Sequence, residues 1–201
     1  ASLVRMGKIT VGEKINITVP TGNFGNILAA YFAMQIGLPV KKLICASNDN
    51  KVLYDFFRTG TYDKKREFIL TSPPSMDILS SSNLERLIYL STGCDAEANK
   101  KRMAELGTDG AYTVTEEMRA KMGDFIGGYA TEAENAAEIK RLFDATGYMI
   151  DTQTGVASAD YRKYADETGD KTPTVIASTA SPYKFSHSVM EAVYGDLGGK
   201  D

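Results

Sequence analysis

Gly22, Asn23, Gly25 and Asn26 surround a single phenylalanine, Phe24, in the stretch "VPTGNFGNILAAYFA". A β-branched run precedes this turn and a long apolar run follows it, so it falls where a strand ends and a helix begins. The first N–H groups of a helix have no internal partners, and the helix dipole favours negative charge beside them. Gly22 and Gly25 let the backbone come close to a ligand or take positive φ, so that several N–H groups converge on one anion. Asn23 and Asn26 tolerate left-handed turns or cap the helix, and Asn26 is the expected N-cap. Neither common nucleotide fingerprint occurs here: no lysine follows Gly25, and G-x-G-x-x-G is absent. The residues alone indicate the phosphate or carboxylate of a small ligand, with a plain strand-to-helix turn as the alternative.

Two further polar groups stand where ligands bind. Asn48, Asp49 and Asn50 follow the end of a second apolar strand, the edge at which open α/β sheets hold ligands. Helix capping by Asp49 or Asn50 is the alternative. Ser81, Ser82 and Asn83 precede a helix with Arg86 one turn in, which suits a phosphate or carboxylate, or else an N-cap with a surface ion pair. His187 is the one histidine, and Cys45 and Cys94 are the two cysteines. They build neither a zinc site nor a disulfide framework, and Cys45, within "KLICAS", is expected in the core.

The elements that must carry these residues follow from periodicity. Residues 15–19 alternate apolar and polar up to Pro20, as a strand does. Residues 26–36 are apolar nearly all round and read as a buried helix stopped by Gly37 and Pro39. Residues 42–46 form a second strand, and "KVLYDFFRTG" a helix ending at Gly60. Strand, helix, strand, helix at this spacing implies a parallel sheet. "NLERLIYL" places Leu84, Leu87 and Ile88 on one helical face, and residues 96–106 and 115–122 read as solvated helices joined by a turn at Gly107 and Gly110. Thr131 caps a helix with Glu132 and Glu134 in its first turn and basic residues before Gly147. "YMIDTQTG" reads as a short strand and capping turn, residues 156–164 as a helix and "DETGDKTP" as a loop. "TVIAST" is a last buried strand and residues 188–194 a final helix. The expected class is α/β: an open, mostly parallel sheet flanked by helices around one continuous core. One domain is expected over residues 1–201, with 1–14 as lead-in and 195–201 as tail.

The 201 residues are 43% hydrophobic and 24% charged, with a formal net charge of −3. That balance gives no electrostatic footprint for nucleic acid, and no apolar window is long enough for a membrane span. The densest basic run, Lys64-Lys65-Arg66, is flanked by Asp63 and Glu67 and reads as a solvated turn. Unpaired cysteines suit a reducing compartment, so a cytoplasmic location is expected. The chain opens without methionine on residues that read as the end of a helix, and it is expected to be part of something longer.

Five segments in order extend this reading: "VPTGNFGNILAAYFA", "ICASNDNKVLYDF", "SPPSMDILSSSNLERLIY", "DTQTGVA" and "STASPYKF". Together they resemble threonine synthases, pyridoxal-phosphate enzymes of the tryptophan-synthase-β group (fold type II), over residues 3–194. The resemblance implies the large-domain fold of that group and pyridoxal 5'-phosphate as cofactor. It also implies the conversion of O-phospho-L-homoserine and water to L-threonine and phosphate. Gly22, Asn23, Phe24, Gly25 and Asn26 would wrap the cofactor phosphate, and Thr179, at the end of the last strand, would face the pyridine nitrogen. Ser82, Asn83 and Arg86 would meet the substrate. Two departures stand out: many relatives read "DPHTA" or "DTHTA" at 151–155 and "HPAKF" at 181–185, so Gln153 and Ser181 replace histidines. The lysine that carries the cofactor in this family lies upstream of the loop. Lys8 and Lys14 fall in no matching segment, and Lys184 lies in "YKF". The chain is therefore expected to be the C-terminal portion of a threonine synthase, inactive alone and able to self-associate through uncovered surface. The rivals are another fold type II enzyme (an amino-acid dehydratase or sulfhydrylase), whose phosphate loops usually carry a run of glycines, and a non-catalytic phosphometabolite-binding module.

Overall fold

A computed structural model describes residues 2–198; the last three residues of the expected tail lie outside them. A short helix α1 (Ser2–Arg5) leads into β1 (Ile15–Pro20), α2 (Gly25–Gln35), β2 (Val40–Ser47), α3 (Val52–Thr59) and β3 (Thr61–Asp63). A 3-10 turn (Pro74–Met76), α4 (Leu84–Ser91), α5 (Ala96–Thr108), β4 (Ala111–Thr113) and α6 (Glu116–Lys121) follow. The chain closes with β5 (Phe125–Tyr129), α7 (Glu132–Thr146), α8 (Thr152–Thr168), β6 (Thr174–Ile176), a second 3-10 turn (Pro182–Phe185) and α9 (Ser186–Tyr194).

The main sheet runs β5-β2-β1-β6 with every pairing parallel, as the alternation of strands and helices requires. Side chains alternate along β1, so Ile17 and Val19 face the cluster under α2 and α3. Asn16 and Thr18 face the other side, where Asn16 Nδ2 donates to Asp170 just beyond α8. Strands β3 and β4 form a separate antiparallel ribbon, in which the fully buried Tyr62 stacks on Tyr112.

Helix α8 crosses the second face of the sheet and is itself covered by α7, so Thr152 through Asp160 are all buried. The two helices close on each other at Gly155, where a Cβ would lie 2.2 Å from Asn135 Oδ1. Helices on both faces and a further layer at α7 and α9 divide the buried apolar side chains into three clusters, not the single core expected.

Other expectations also change. Only Ile27 and Leu28 of α2 are buried, while Phe32 and Ile36 are 44% and 89% exposed. An apolar pattern all round marks a helix that can be covered on every side; here the sheet covers one. "YMIDTQTG" forms no strand, because Asp151 accepts from Gln153 N and Thr154 N and starts α8 there. Gly107 lies within α5, and β4 separates α5 from α6. The basic residues of α7 sit mid-helix, where Arg141 pairs with Glu138. The last strand is short and only half-buried, being the sheet's edge. Strand β5 was hidden by its glycines: α3 closes on Gly127 and Asp160 on Gly128, leaving no room for a Cβ on either. Among the described residues, no helix is long and apolar enough to cross a membrane.

Asp160 is 4% exposed, and among the described residues its Oδ2 has no hydrogen-bond partner. Burial pushes its carboxyl from 3.8 up to about 7, against the opposing pull of Lys163. The folded chain therefore keeps a proton that the unfolded chain releases, so this group's contribution falls as pH rises from about 4 to about 7. The slope approaches about 1.4 kcal/mol per pH unit within that window. Asp160→Asn is expected to flatten the pH dependence of urea unfolding there and to raise stability most above the window; an unchanged profile refutes this.

Candidate functional site

Strand β1 delivers the chain to the expected turn. Thr21 N donates to Ala46 O at 2.8 Å and Thr21 Oγ1 to Val19 O at 2.7 Å, which keeps the backbone beside β2 up to that residue. The N-cap of α2 is Phe24, with φ 64°, and no side chain caps the helix. Asn26 lies inside the first turn rather than at the N-cap, and the positive φ falls on neither glycine. A left-handed non-glycine costs roughly 1–2 kcal/mol. The Phe24 ring offsets this by burial, its centroid 6.0 Å from that of Phe57 and 5.7 Å from that of Phe125. Gly22 serves close approach as expected, since a Cβ there would meet Met76 Cα at 3.1 Å and Ser75 O at 3.2 Å. Gly25 is less constrained, with Asn83 Nδ2 at 3.5 Å.

The turn is polarised. Among the described residues, the N–H groups of Gly22, Asn23, Phe24, Gly25, Asn26 and Ile27 donate no hydrogen bond. The carbonyls of residues 22–24 are all engaged. Gly22 O accepts from Ser81 Oγ at 2.9 Å, Asn23 O from Asn83 Nδ2 at 2.9 Å, and Phe24 O from Leu28 N at 3.1 Å. Asn23 Oδ1 accepts from Ser82 N at 2.8 Å and from Ser82 Oγ at 2.7 Å. Six consecutive unpaired donors with their acceptors turned elsewhere form an anion cradle.

The cradle opens on a cleft of about 370 Å³ whose other walls include Ser75, Asn83, Gln153, Thr179 and Lys184. Thr179 lies three residues past the end of β6, and its Oγ1 donates to Gln153 Oε1 at 2.7 Å. Sequence reading singled out Gln153 only as a departure; its partner Thr179 shows what it touches. Ser181 takes no part in the cleft and accepts from Tyr183 N at 3.4 Å. Lys184 Nζ lies 5.2 Å from the Phe185 ring centroid.

Of the three expected substrate residues, Asn83 lines the cleft and Ser82 stands behind Asn23. Arg86 donates to Asn83 Oδ1 and borders a neighbouring groove with Phe32, Tyr89 and Met103. Asn48 and Asn50 are buried and both donate to Asp77 Oδ1, at 2.7 and 3.2 Å, fixing the segment that packs on Gly22. Asp49 accepts from Glu132 N at the start of α7, so neither Asp49 nor Asn50 caps α3, whose N-cap is Lys51. Arg66 is drawn from its expected solvated turn onto Asp55 and Asn50 O. Cys45 is buried, as its sequence setting implies, and burial pushes its thiol up. His187 lies on the surface, 3.4 Å from Glu191.

No protein-family model matches the chain. Threonine synthase-like 1 of Homo sapiens is 40% identical over 194 residues, covering 95% of this chain and 26% of that protein. Threonine synthase of Saccharomyces cerevisiae is 34% identical over 198 residues, covering 91% and 38%. The pyridoxal-phosphate-bound crystal structure of threonine synthase from Brucella melitensis matches with a TM-score of 0.87 at 35% identity, over 96% of this chain and 41% of that one. The yeast enzyme structure matches with a TM-score of 0.86 at 32% identity, over 99% and 42%. The chain thus spans between about a quarter and two-fifths of the length of these relatives. Shared sequence and shared fold over nearly all of its residues make this chain a homologue of the threonine synthases.

Proposed function

We propose that this chain carries the cofactor-phosphate and ring-nitrogen ends of a pyridoxal-phosphate site. The parent activity is that of a threonine synthase, converting O-phospho-L-homoserine and water to L-threonine and phosphate. The observation that carries the reading is the run of six unpaired N–H groups at the start of α2. A phosphate fits this cleft chemically: backbone donors line one wall, Lys184 lies on another, and among the described residues no carboxylate lines it.

Bound there, pyridoxal phosphate would supply the electron sink for carbanion chemistry on an amino-acid substrate. The N–H groups of 22–27 would hold the phosphate and thereby orient the ring. Thr179 would face the pyridine nitrogen with a neutral hydroxyl. Gln153, bonded to Thr179, keeps that hydroxyl at a fixed distance from α8. Asn83 and the Arg86 joined to it, with Ser82 behind, are the groups offered to the substrate's own phosphate or carboxylate. The reading extends to a cytoplasmic, small-molecule enzyme of amino-acid biosynthesis, of which this chain would be a single α/β domain.

Among the described residues, Lys184 is the one lysine lining the cleft, and its segment matches the end of the family pattern, not the cofactor-bearing lysine. By itself the chain is therefore expected to bind pyridoxal phosphate weakly, without a covalent link, and to turn over nothing. Titration of the chain with pyridoxal phosphate should give binding that inorganic phosphate competes away. A visible-edge absorbance band removed by borohydride would overturn the non-covalent reading. Phosphate release from O-phospho-L-homoserine by the parent protein tests the reaction; its absence would reject the enzyme assignment. Phe24→Ala removes the ring that holds the cradle, and is expected to lower stability by about 3–5 kcal/mol in urea unfolding. At denaturant-free conditions where it remains folded, its competition by phosphate should be lost.

A further inference from the structure

We infer that Ser81, Ser82 and Asn83 are positioning residues for the cradle, acting on a bound phosphate monoester through the direction of the peptide units at 22–24. This rests on the reading of the turn as a phosphate cradle. A trans peptide unit is planar, and its carbonyl oxygen points opposite to the N–H of the following residue. Fixing Gly22 O on Ser81 Oγ therefore aims the Asn23 N–H away from the 81–83 segment. Fixing Asn23 O on Asn83 Nδ2 does the same for the Phe24 N–H. Were either unit to turn over, a carbonyl would replace a donor at the anion, exchanging attraction for repulsion.

Ser82 adds a side-chain constraint. Its N–H and Oγ both donate to Asn23 Oδ1, which fixes which end of the Asn23 amide faces Ser82. The Nδ2 of Asn23 is left without a partner among the described residues, so the cradle gains a side-chain donor of known orientation. The lock has a rigid base. The hydroxyl of fully buried Tyr62 accepts from Ser81 N at 2.7 Å and donates to Leu79 O at 3.0 Å. Burial pushes that hydroxyl up from its ordinary range, so it stays protonated and keeps both bonds. The 79–83 segment is thus tied to the β3–β4 ribbon on one side and to the cradle on the other.

The lock can be tested on the chain with and without inorganic phosphate. In Asn83→Ala without phosphate, the amide resonances of Asn23 and Phe24 should shift and broaden while those of the sheet stay in place. Phosphate affinity should fall at least tenfold with an unchanged urea midpoint. Ser82→Ala, at an exposed position, keeps one of the two bonds to Asn23 and should show a smaller shift and a few-fold loss. If the loop amides of phosphate-free Asn83→Ala and Ser82→Ala coincide with those of the unaltered chain, the lock is refuted, whatever happens to affinity. In that case an affinity loss would mark Asn83 as a direct ligand. If the unaltered chain binds no phosphate, the cradle reading fails, and the phosphate-free amide comparison still decides whether 81–83 sets the loop.

Discussion

The buried ring of Phe24 is the contact on which the rest of the site depends. It sits in the left-handed turn that ends β1 and starts α2, so burying the ring fixes the backbone of the turn as well. Phe57 of α3 and Phe125 of β5 pack against it, which ties three separate elements to one residue. Full burial of such a ring is worth roughly 1.5–3 kcal/mol, comparable to or more than the cost of the left-handed conformation. A glycine would adopt this φ without strain but would leave the turn unanchored. The sequence therefore places its glycines on either side, at 22 and 25, and its anchor between them.

Around that anchor the molecule separates donors from acceptors. Carbonyls of the turn face the 81–83 segment and the first turn of α2, while N–H groups remain on the cleft side. The opposite wall is built by the start of α8, whose Asp151 cap brings Gln153 to Thr179, and Thr154 Oγ1 within 3.2 Å of Ser178 Oγ. The strand order β2-β1-β6 sets these walls side by side, because parallel neighbours all end at the same edge. Helix α8, buried along nine consecutive residues, holds the second wall with the rigidity of a core element.

Much of this was legible in the residues. Strand β1, the turn, β2 and α3 carry local signals that agree with the fold, and a Gly/Asn-rich strand-to-helix turn is an anion site by elementary backbone chemistry. The five ordered segments supplied the resemblance to threonine synthases, and the matches at 32–40% identity agree with it. What stayed hidden depends on tertiary neighbours. The positive φ fell on Phe24 because its ring has a pocket, which no local propensity reports. Strand β5 reads poorly as "FIGGY", since its glycines answer to α3 and Asp160. The tie between Ser82 and Asn23 spans 59 positions and follows no periodicity. Burial of α2 was over-read because apolar composition does not say which faces have neighbours.

Helix α2 has 11 residues, and at 1.5 Å rise per residue it is a stiff rod of roughly 16 Å. Its first turn supplies cradle N–H groups, while Phe32 and, just past its end, Ile36 stand in solvent. A stiff rod passes a push on its far end to its near end, where burial of Phe24, Ile27 and Leu28 holds the donors in place. Anything that covered Phe32 and Ile36 would bear on that lever, and so reach the cradle from some three turns away.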